Sequence, residues 1–535
     1  ELNPMGIEST IAAISPGWAL KRAQARAALQ RTETSTRRFE GADRGRRTKG
    51  WITVGGSPNA EARTALHVLR DRCRDLKRNN PWGASAIRIL VSNIVGTGIT
   101  PRFIGTNTAQ ETAASDLWRE WSTDPFQIDA DGRCDFAGLQ SAATEEMVEA
   151  GEGLMRRRRR RASSDRVVPL QIQLLEPDHI DTARDGEVDA KSNSRTVLGI
   201  KFNRNAERRS YWLYPEHPGS IGFIRRVVSE EVPAAEIRHM YRLDRVGQVR
   251  GIPWGSPAVL RIHGLDAYED SESMRNIVAT SYAGFVKDID GGAALGALGP
   301  SGALPDVNDL EQEIDEIESG TIQYLDPGKD ITFTTPPQNE TFPEYVRVQL
   351  RAIAKAYGVT YEQLAGDLSN VNFSSARMGW IDFQSDVERW RRQIVIPHFC
   401  EPTLRWFTQT AAAAGLIAPE GLRWEWTPPK RTMVDPRTDV NMEIAMVRAG
   451  MKSLSAAVGS MGFDLRQVLE ELAKDLEFAK SLGLVLQVDG SQTQGPSQDN
   501  ANRPGGGGSR DLIDMVAHQI EKELEMRGSN GTITS

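Results

Sequence analysis

The best metal-ligand spacing in the chain lies in EPDHIDTARD, residues 176–185, where Asp178, His179 and Asp181 are near enough in sequence to share a divalent cation. Acidic residues beside proline also build turns, and that is the preferred reading. The remaining histidines are scattered without partners at ligand spacing, and Cys73, Cys134 and Cys400 fit neither a zinc pattern nor a disulfide framework. No G-x-x-x-x-G-K-[ST] occurs, and the glycines of 291–302 lack the lysine and hydroxyl that hold a nucleotide and its magnesium. G-x-S-x-G and H-E-x-x-H are missing as well. Glu145 and Glu146 fall on a helix whose amphipathic pattern accounts for them. The expectation is a protein without catalytic residues, resident metal or cofactor.

Six consecutive arginines, Arg156–Arg161, follow GEGLM and precede Ser163 and Ser164, which reads as a strand end with guanidinium groups on both faces. Such a run is most simply a solvated sheet edge whose charge discourages pairing. Contact with a phosphate backbone is the alternative. The net charge of −7 argues against a protein that grips nucleic acid over most of its surface. Residues 1–50 nevertheless hold ten Lys or Arg against five acids, a basic arm on an acidic body.

The elements that must carry these residues read as α+β, predominantly helical. At 535 residues the chain has room for two to four folding units. No apolar run approaches the roughly 18–20 residues of a membrane span, and no secretory leader pattern opens the chain, so the cytoplasm is the expected place of synthesis and assembly. Helices are expected over 17–31, 59–79, 82–95, 108–122 and 136–150, and strands over 169–174, 197–202 and 211–214. A long helix should run from Ser256 to about Phe285, with apolar and polar residues spread around it, among them His263, Asp266, Glu269, Asp270, Arg275, Ile277 and Val278. Residues 290–305 form a Gly-, Ala- and Pro-rich connector, 307–319 a short acidic helix, and 320–333 two strands about the turn Asp326-Pro327-Gly328. Pro343 opens a helix closed by Gly358, a polar loop spans 366–374, and a helical pattern from Ser375 to Ala414 should kink at Pro397 and Pro402. Helices over 439–450 and 464–482, a Gly/Ser-rich linker over 487–510 and a last helix over 511–526 complete the reading.

RDLKRNNPWGASAIRILVSNIVGTGITPR (74–102), LRAIAKAYGVTYEQLAGDLSNVNFSSARMGW (350–380) and VRAGMKSLSAAVGSMGFDLRQVLEELAKDLEFAKSLGL (447–484) resemble the lambda-type family of phage portal proteins. GEGLM at 151, LLEPDHID at 174 and YRLDRVGQVRGIPWGSPAV at 241 are similar too, so the likeness extends over about 15–485. It implies a portal-type fold in a homo-oligomeric ring of about twelve chains, built into the virion at one capsid vertex and threaded by double-stranded DNA read without regard to sequence. The implied partners are the large terminase subunit, a head–tail connector or adaptor protein, and the major capsid protein with its scaffold, with no membrane. By the same resemblance, 1–58 is a basic arm, 59–255 wing, 256–285 stem, 286–306 clip, 307–319 return stem helix and 320–365 further wing. Residues 366–374 then correspond to a tunnel loop, 375–434 to a long kinked wing helix and the strand after it, and 435–486 to a crown. The tunnel loop would present Asp367, Leu368, Ser369, Asn370, Val371, Asn372 and Phe373 to DNA, and the clip would include Asp288, Asp290, Gly291, Gly292, Leu295 and Leu298. A DNA-processing enzyme such as a terminase nuclease, and a purely structural capsid or adaptor protein, are the competing readings.

Overall fold

The computed structural model describes residues 55–189, 193–220, 228–280, 284–288, 329–333, 341–369, 372–429, 436–463 and 465–484, with isolated positions between 17 and 50. The expected acidic helix 307–319, the linker 487–510, the helix 511–526 and most of the basic arm and clip lie outside the described residues. Residues 1–464 form one compact unit and 465–535 another.

Helix α1 (Pro58–Asn79) begins at the Ser57 cap, with proline in its first turn. Asn80 then ends α1 and starts α2 (Pro81–Ile94), its side-chain oxygen accepting from the amides of Trp82 and Gly83 at 3.0 and 3.1 Å. Strand β1 (Thr100–Ile104) leads to α3 (Thr108–Thr123) and α4 (Phe136–Glu149), capped by Asn107 and Asp135. After these come β2 (Glu152–Arg159) and β3 (Leu170–Leu175), and then β4 (Val188–Asp189), β5 (Ser194–Val197), β6 (Ile200–Phe202), β7 (Arg208–Leu213) and β8 (Glu230–Pro233), which form an antiparallel five-stranded sheet in sequence order. Strand β9 (Ile237–Tyr241) joins a separate sheet in the order β3-β2-β9.

One expectation fails in this region and another holds only in part. The segment 197–202 is not one strand but the tip of a hairpin, because Leu198 and Gly199 both adopt left-handed backbone, φ 49° and 82°. A Cβ at Gly199 would also stand 2.6 Å from the Asp181 carbonyl oxygen. The edge reading of the arginine-rich strand fails at its start, where β2 lies between β3 and β9, and holds beyond Arg156: β3 pairs through Leu154–Arg159 but β9 only through Glu152–Arg156, which leaves one side of Arg157–Arg159 open.

Helix α5 (Val259–Thr280) follows, then β10 (Gly284–Asp288) and β11 (Lys329–Phe333). The long helix thus does not reach Phe285, since 284–288 are drawn into antiparallel pairing with 329–333. That pairing gives Lys329–Phe333 a partner far upstream, while the expected companion strand and the Asp326-Pro327-Gly328 turn lie outside the described residues. Helices α6 (Phe342–Tyr357) and α7 (Tyr361–Ala365) end at Gly358 and Gly366, both left-handed. Helix α8 (Phe373–Trp390) runs into a π-helical stretch, Arg391–Cys400, and continues as α9 (Glu401–Ala413). Pro397 has no amide to donate, and the backbone widens around it where a kink was expected. Pro402 lies just past the junction with α9, a second position at which the continuous helix lacks an amide donor.

Strand β12 (Arg423–Thr427) pairs with β1. Helices α10 (Pro436–Arg448) and α11 (Leu454–Ser460) close the first unit. One core joins the elements: Leu90 and Ile94 of α2, Trp118 and Trp121 of α3, Met147 of α4, Val387 of α8 and Phe407 of α9 are all buried. Trp118 packs edge-on against Phe136 and Phe407, each 5.0 Å away between ring centroids. In the second unit, α12 (Leu465–Ser481) occupies the expected helical range, with Ala479 buried and Leu469 and Leu476 exposed.

Candidate functional site

The loop between α7 and α8 is held firmly at both ends. Thr360 and Gln363 cap α7 reciprocally, Gly366 turns the chain, and the Asn372 side chain accepts from the Ser375 amide at 2.8 Å to start α8. Within the loop, Asp367 accepts from the Ser369 amide at 3.1 Å and the Tyr361 hydroxyl at 3.0 Å, and the Ser369 bonds hold its carboxyl below the usual carboxylate range. Leu368 is 68% exposed. Asn370, Val371 and the Phe373 side chain lie outside the described residues.

Helix α5 carries the residues assigned from the sequence to a stem. Only one stripe is buried, through Val259, Ile262, Leu265 and Glu272, while His263, Asp266 and Asp270 are exposed and Glu269 is half-buried. Asp266 accepts from the Asn80 side chain at 3.3 Å, and Arg275 pairs with Glu272. Burial, with Asp266 beside it, raises the Glu269 carboxyl above its ordinary value. The apolar side chains of Leu260, Met274 and Ile277 are 75%, 61% and 57% exposed. The Val278 side chain is outside the described residues, as are Asp290, Gly291, Gly292, Leu295 and Leu298, and only the backbone of Asp288 is described, opposite Lys329.

The expected turn reading of residues 176–185 agrees with the geometry, which sends the three candidate ligands to different partners. Asp178 pairs with Arg70 at 3.0 Å and Arg74 at 2.7 Å, His179 Nδ1 meets the Tyr214 carbonyl at 2.9 Å, and Asp181 accepts from the Ser229 hydroxyl at 2.6 Å. Glu176, Asp178 and His217 do offer ligand atoms within 4.8 Å of one another, but Arg74 already bridges the two carboxylates. Arg74 also reaches Glu146 at 3.1 Å, and Lys77 pairs with Glu145 and Glu149. Burial lifts the Glu146 carboxyl to about 7 against the pull of Arg74.

What the sequence did not suggest is the ionic cluster centred on Glu152, which is fully buried at the start of β2. Arg250 Nε approaches its two oxygens at 2.8 and 3.0 Å, Arg70 donates at 2.9 Å, the Gly251 amide at 2.8 Å and His239 Nε2 at 2.7 Å. Burial alone would raise this carboxyl, but Arg250 and His239 hold it well below the usual range. Burial lowers His239 to about 4, and its Nδ1 accepts from Arg208 at 2.9 Å, so the neutral ring donates through Nε2. The cluster ties α1, β2, β9 and the segment leading into α5 together. With every lone pair engaged and no exposure, Glu152 is a fastening and not a reactive group.

The chain also declares its relatives. Residues 44–391 match the family described as phage portal protein, lambda family. The probable portal protein of Halomonas phage phiHAP-1 is 26% identical over 507 residues, covering 89% of this chain and 94% of its own. Portal protein B of Escherichia phage lambda is 20% identical over 452 residues, 77% of this chain and 84% of its own. Among solved structures, the neck of a native gene transfer agent particle with C12 symmetry covers 73% of this chain and 93% of its own, at 16% identity and a TM-score of 0.39. The native gene transfer agent virion covers 77% and 96%, at 16% identity and a TM-score of 0.40. The chain belongs to the lambda family of phage portal proteins. It is therefore a structural, non-enzymatic component of a phage virion, with a mixed α+β and mostly helical fold. No helix among the described residues is long and apolar enough to cross a membrane.

Proposed function

We propose that the chain assembles into a homo-oligomeric ring, of about twelve copies, whose central channel passes double-stranded DNA into the capsid during packaging and out during ejection. The ring sits at one capsid vertex, where it offers docking surfaces to the large terminase subunit and to a head–tail connector. Helix α5 with residues 307–319 forms the stem, 286–306 the clip, 366–374 the tunnel loop and 435–486 the crown.

The observation that carries this reading is the surface of α5. A rod of 22 residues, roughly 33 Å long, buries one stripe and leaves Leu260, Met274 and Ile277 in solvent on its other sides. Apolar surface of this kind marks a contact. Copies of the same chain around a symmetry axis would cover it and set α5 beside its like. Each copy carries −7, so a ring would repel phosphate overall, and residues 366–374 contain no Lys or Arg that would hold DNA in place.

Electron microscopy of the purified full chain tests the proposal: rings with a central hole are expected. Ile277→Asp with Val278→Asp should abolish the rings while leaving helical content unchanged. Rings that survive the double substitution would remove α5 from the stem, and a wild-type chain that remains monomeric at assembly concentrations would remove the ring.

A further inference from the structure

We propose that the arginine strand β2 and the cleft beside it form a DNA-backbone contact on the body of the protein, separate from the channel. The run Arg156–Arg161 has no part in the buried core or in the ion-pair scheme that fixes the fold. Protection of a sheet edge accounts for only part of it: Arg157–Arg159 pair with β3 on one side and are open on the other, but edge protection does not explain the arginines that stand on the face of the sheet.

Nor is any of the charges paired directly, although Glu236 lies near enough to act on Arg157 and Arg158. Among the described residues no carboxylate forms an ion pair with any of the six, in contrast to Arg70, Arg74 and Arg250. Their partners are neutral: Arg157 donates to the Thr410 hydroxyl at 2.8 Å, Arg158 to Gln173 at 2.7 Å and Arg160 to Gln171 at 2.8 Å. Burial, and then Arg156 and Arg160 on either side, depress the Arg158 guanidinium below its ordinary value. Like charges spaced two residues apart on one face stand about 6.6 Å from one another and repel unless an anion lies across them.

That face opens onto a cleft of about 690 Å³, into which Arg158, Arg160 and Gln173 project from the sheet and Arg133 from the opposite wall. Asp129 and Asp131 also line it: Asp129 is engaged by the amides of Asp131, Arg133 and Cys134, and Asp131 stands 3.9 Å from the Arg133 guanidinium, so the cations left without a carboxylate are Arg158 and Arg160. Arg159, Arg160 and Arg161 are all exposed, and of the three Arg160 lines the cleft. Guanidinium groups match phosphate oxygens in geometry as well as charge. No Phe, Tyr or Trp lines the cleft, and the His179 ring that does is tied through Nδ1 to the Tyr214 carbonyl, so the broad stacking platform of a single-strand site is missing. The ligand that fits is the phosphate backbone of duplex DNA, held without reference to its bases.

The test uses the full chain and a relaxed, covalently closed circular duplex, which cannot thread a ring and so reports only outer contacts. Retention is measured between 50 and 200 mM KCl. Wild type should bind with a steep salt dependence, each phosphate contact adding about 0.9 to the log–log slope. Arg158→Gln, Arg160→Gln and Arg161→Gln together should flatten that slope by about 2–3 and weaken binding at 50 mM KCl at least tenfold. The corresponding triple Lys variant should keep the slope. An unchanged slope in the Gln variant overturns the proposal, and so does a lost slope in a folded Lys variant. Binding of polyglutamate in place of the circle would assign the strand to an acidic protein surface instead. Failure of the channel reading would show as missing rings, which leaves this measurement untouched.

Discussion

Replacing Glu152 by Gln keeps the size of the side chain and removes one charge from a site with no solvent. Arg250 and Arg70 then lose the counterion they share, and the new amide must point its own hydrogens toward His239 Nε2 or the Gly251 amide. Breaking a buried ion pair from one side costs about 3–5 kcal/mol. The chain is too large for a single unfolding transition to report this cleanly, so native-state hydrogen exchange of the β2 and β9 amides is the better assay. At about 1.4 kcal/mol per tenfold, protection there should fall by roughly 10²- to 10³·⁵-fold. Glu152→Leu combined with Arg250→Met removes the charges in pairs and should recover part of the loss. Protection within tenfold of wild type in Glu152→Gln would refute the argument that this cluster fastens the sheet to α1 and α5.

Acid should act on the same cluster. His239 is lowered to about 4, whereas an unfolded histidine titrates near 6.5, so the unfolded chain takes up the proton first and stability is lost as pH falls across that window. Glu146, lifted to about 7, contributes with the opposite sign, since the folded chain keeps its proton longer and stability falls as pH rises toward 7. The stability difference between wild type and His239→Gln should therefore shrink from pH 6.5 to 4 in thermal-shift measurements, and a constant difference would contradict the assignment. In the loop, Leu368→Lys places about one new positive charge per copy at the proposed constriction, and packaging should slow at low salt and recover as salt rises. Asn372 is the wrong residue for this test, because its side chain caps α8 and its loss would cost about 1 kcal/mol of helix stability as well.

Helix extent was legible in the sequence because its signals are local. Apolar periodicity and the closing Gly358 act over a few residues, and α1 to α4 and α6 fall within a residue or so of the expected ranges; the caps Ser57, Asn107 and Asp135 came from the structure instead. Sheet position was not legible, since whether β2 is an edge depends on Leu170–Leu175 and Ile237–Tyr241, one of them some 80 residues away. The Leu198–Gly199 turn was hidden by apolar residues on both sides, and leucine is a poor advertisement for left-handed backbone. The Glu152 cluster escaped for the same reason as the sheet: Arg70, His239 and Arg250 are each remote in sequence and unremarkable alone. The loop 366–374 was bounded correctly within a residue or two because Gly366 and Asn372 announce both ends.

The pairing of Gly284–Asp288 with Lys329–Phe333 brings the chain back to the point it left. Opposed backbones in such a ladder lie about 5 Å apart, so residues 289–328 start and finish at one doorway. A segment mounted in this way is a cassette: its length and composition can be exchanged without moving α5 or α6, provided the two strands are kept. Any change confined to residues 289–328 would thus enter and leave the body of the protein at this one place.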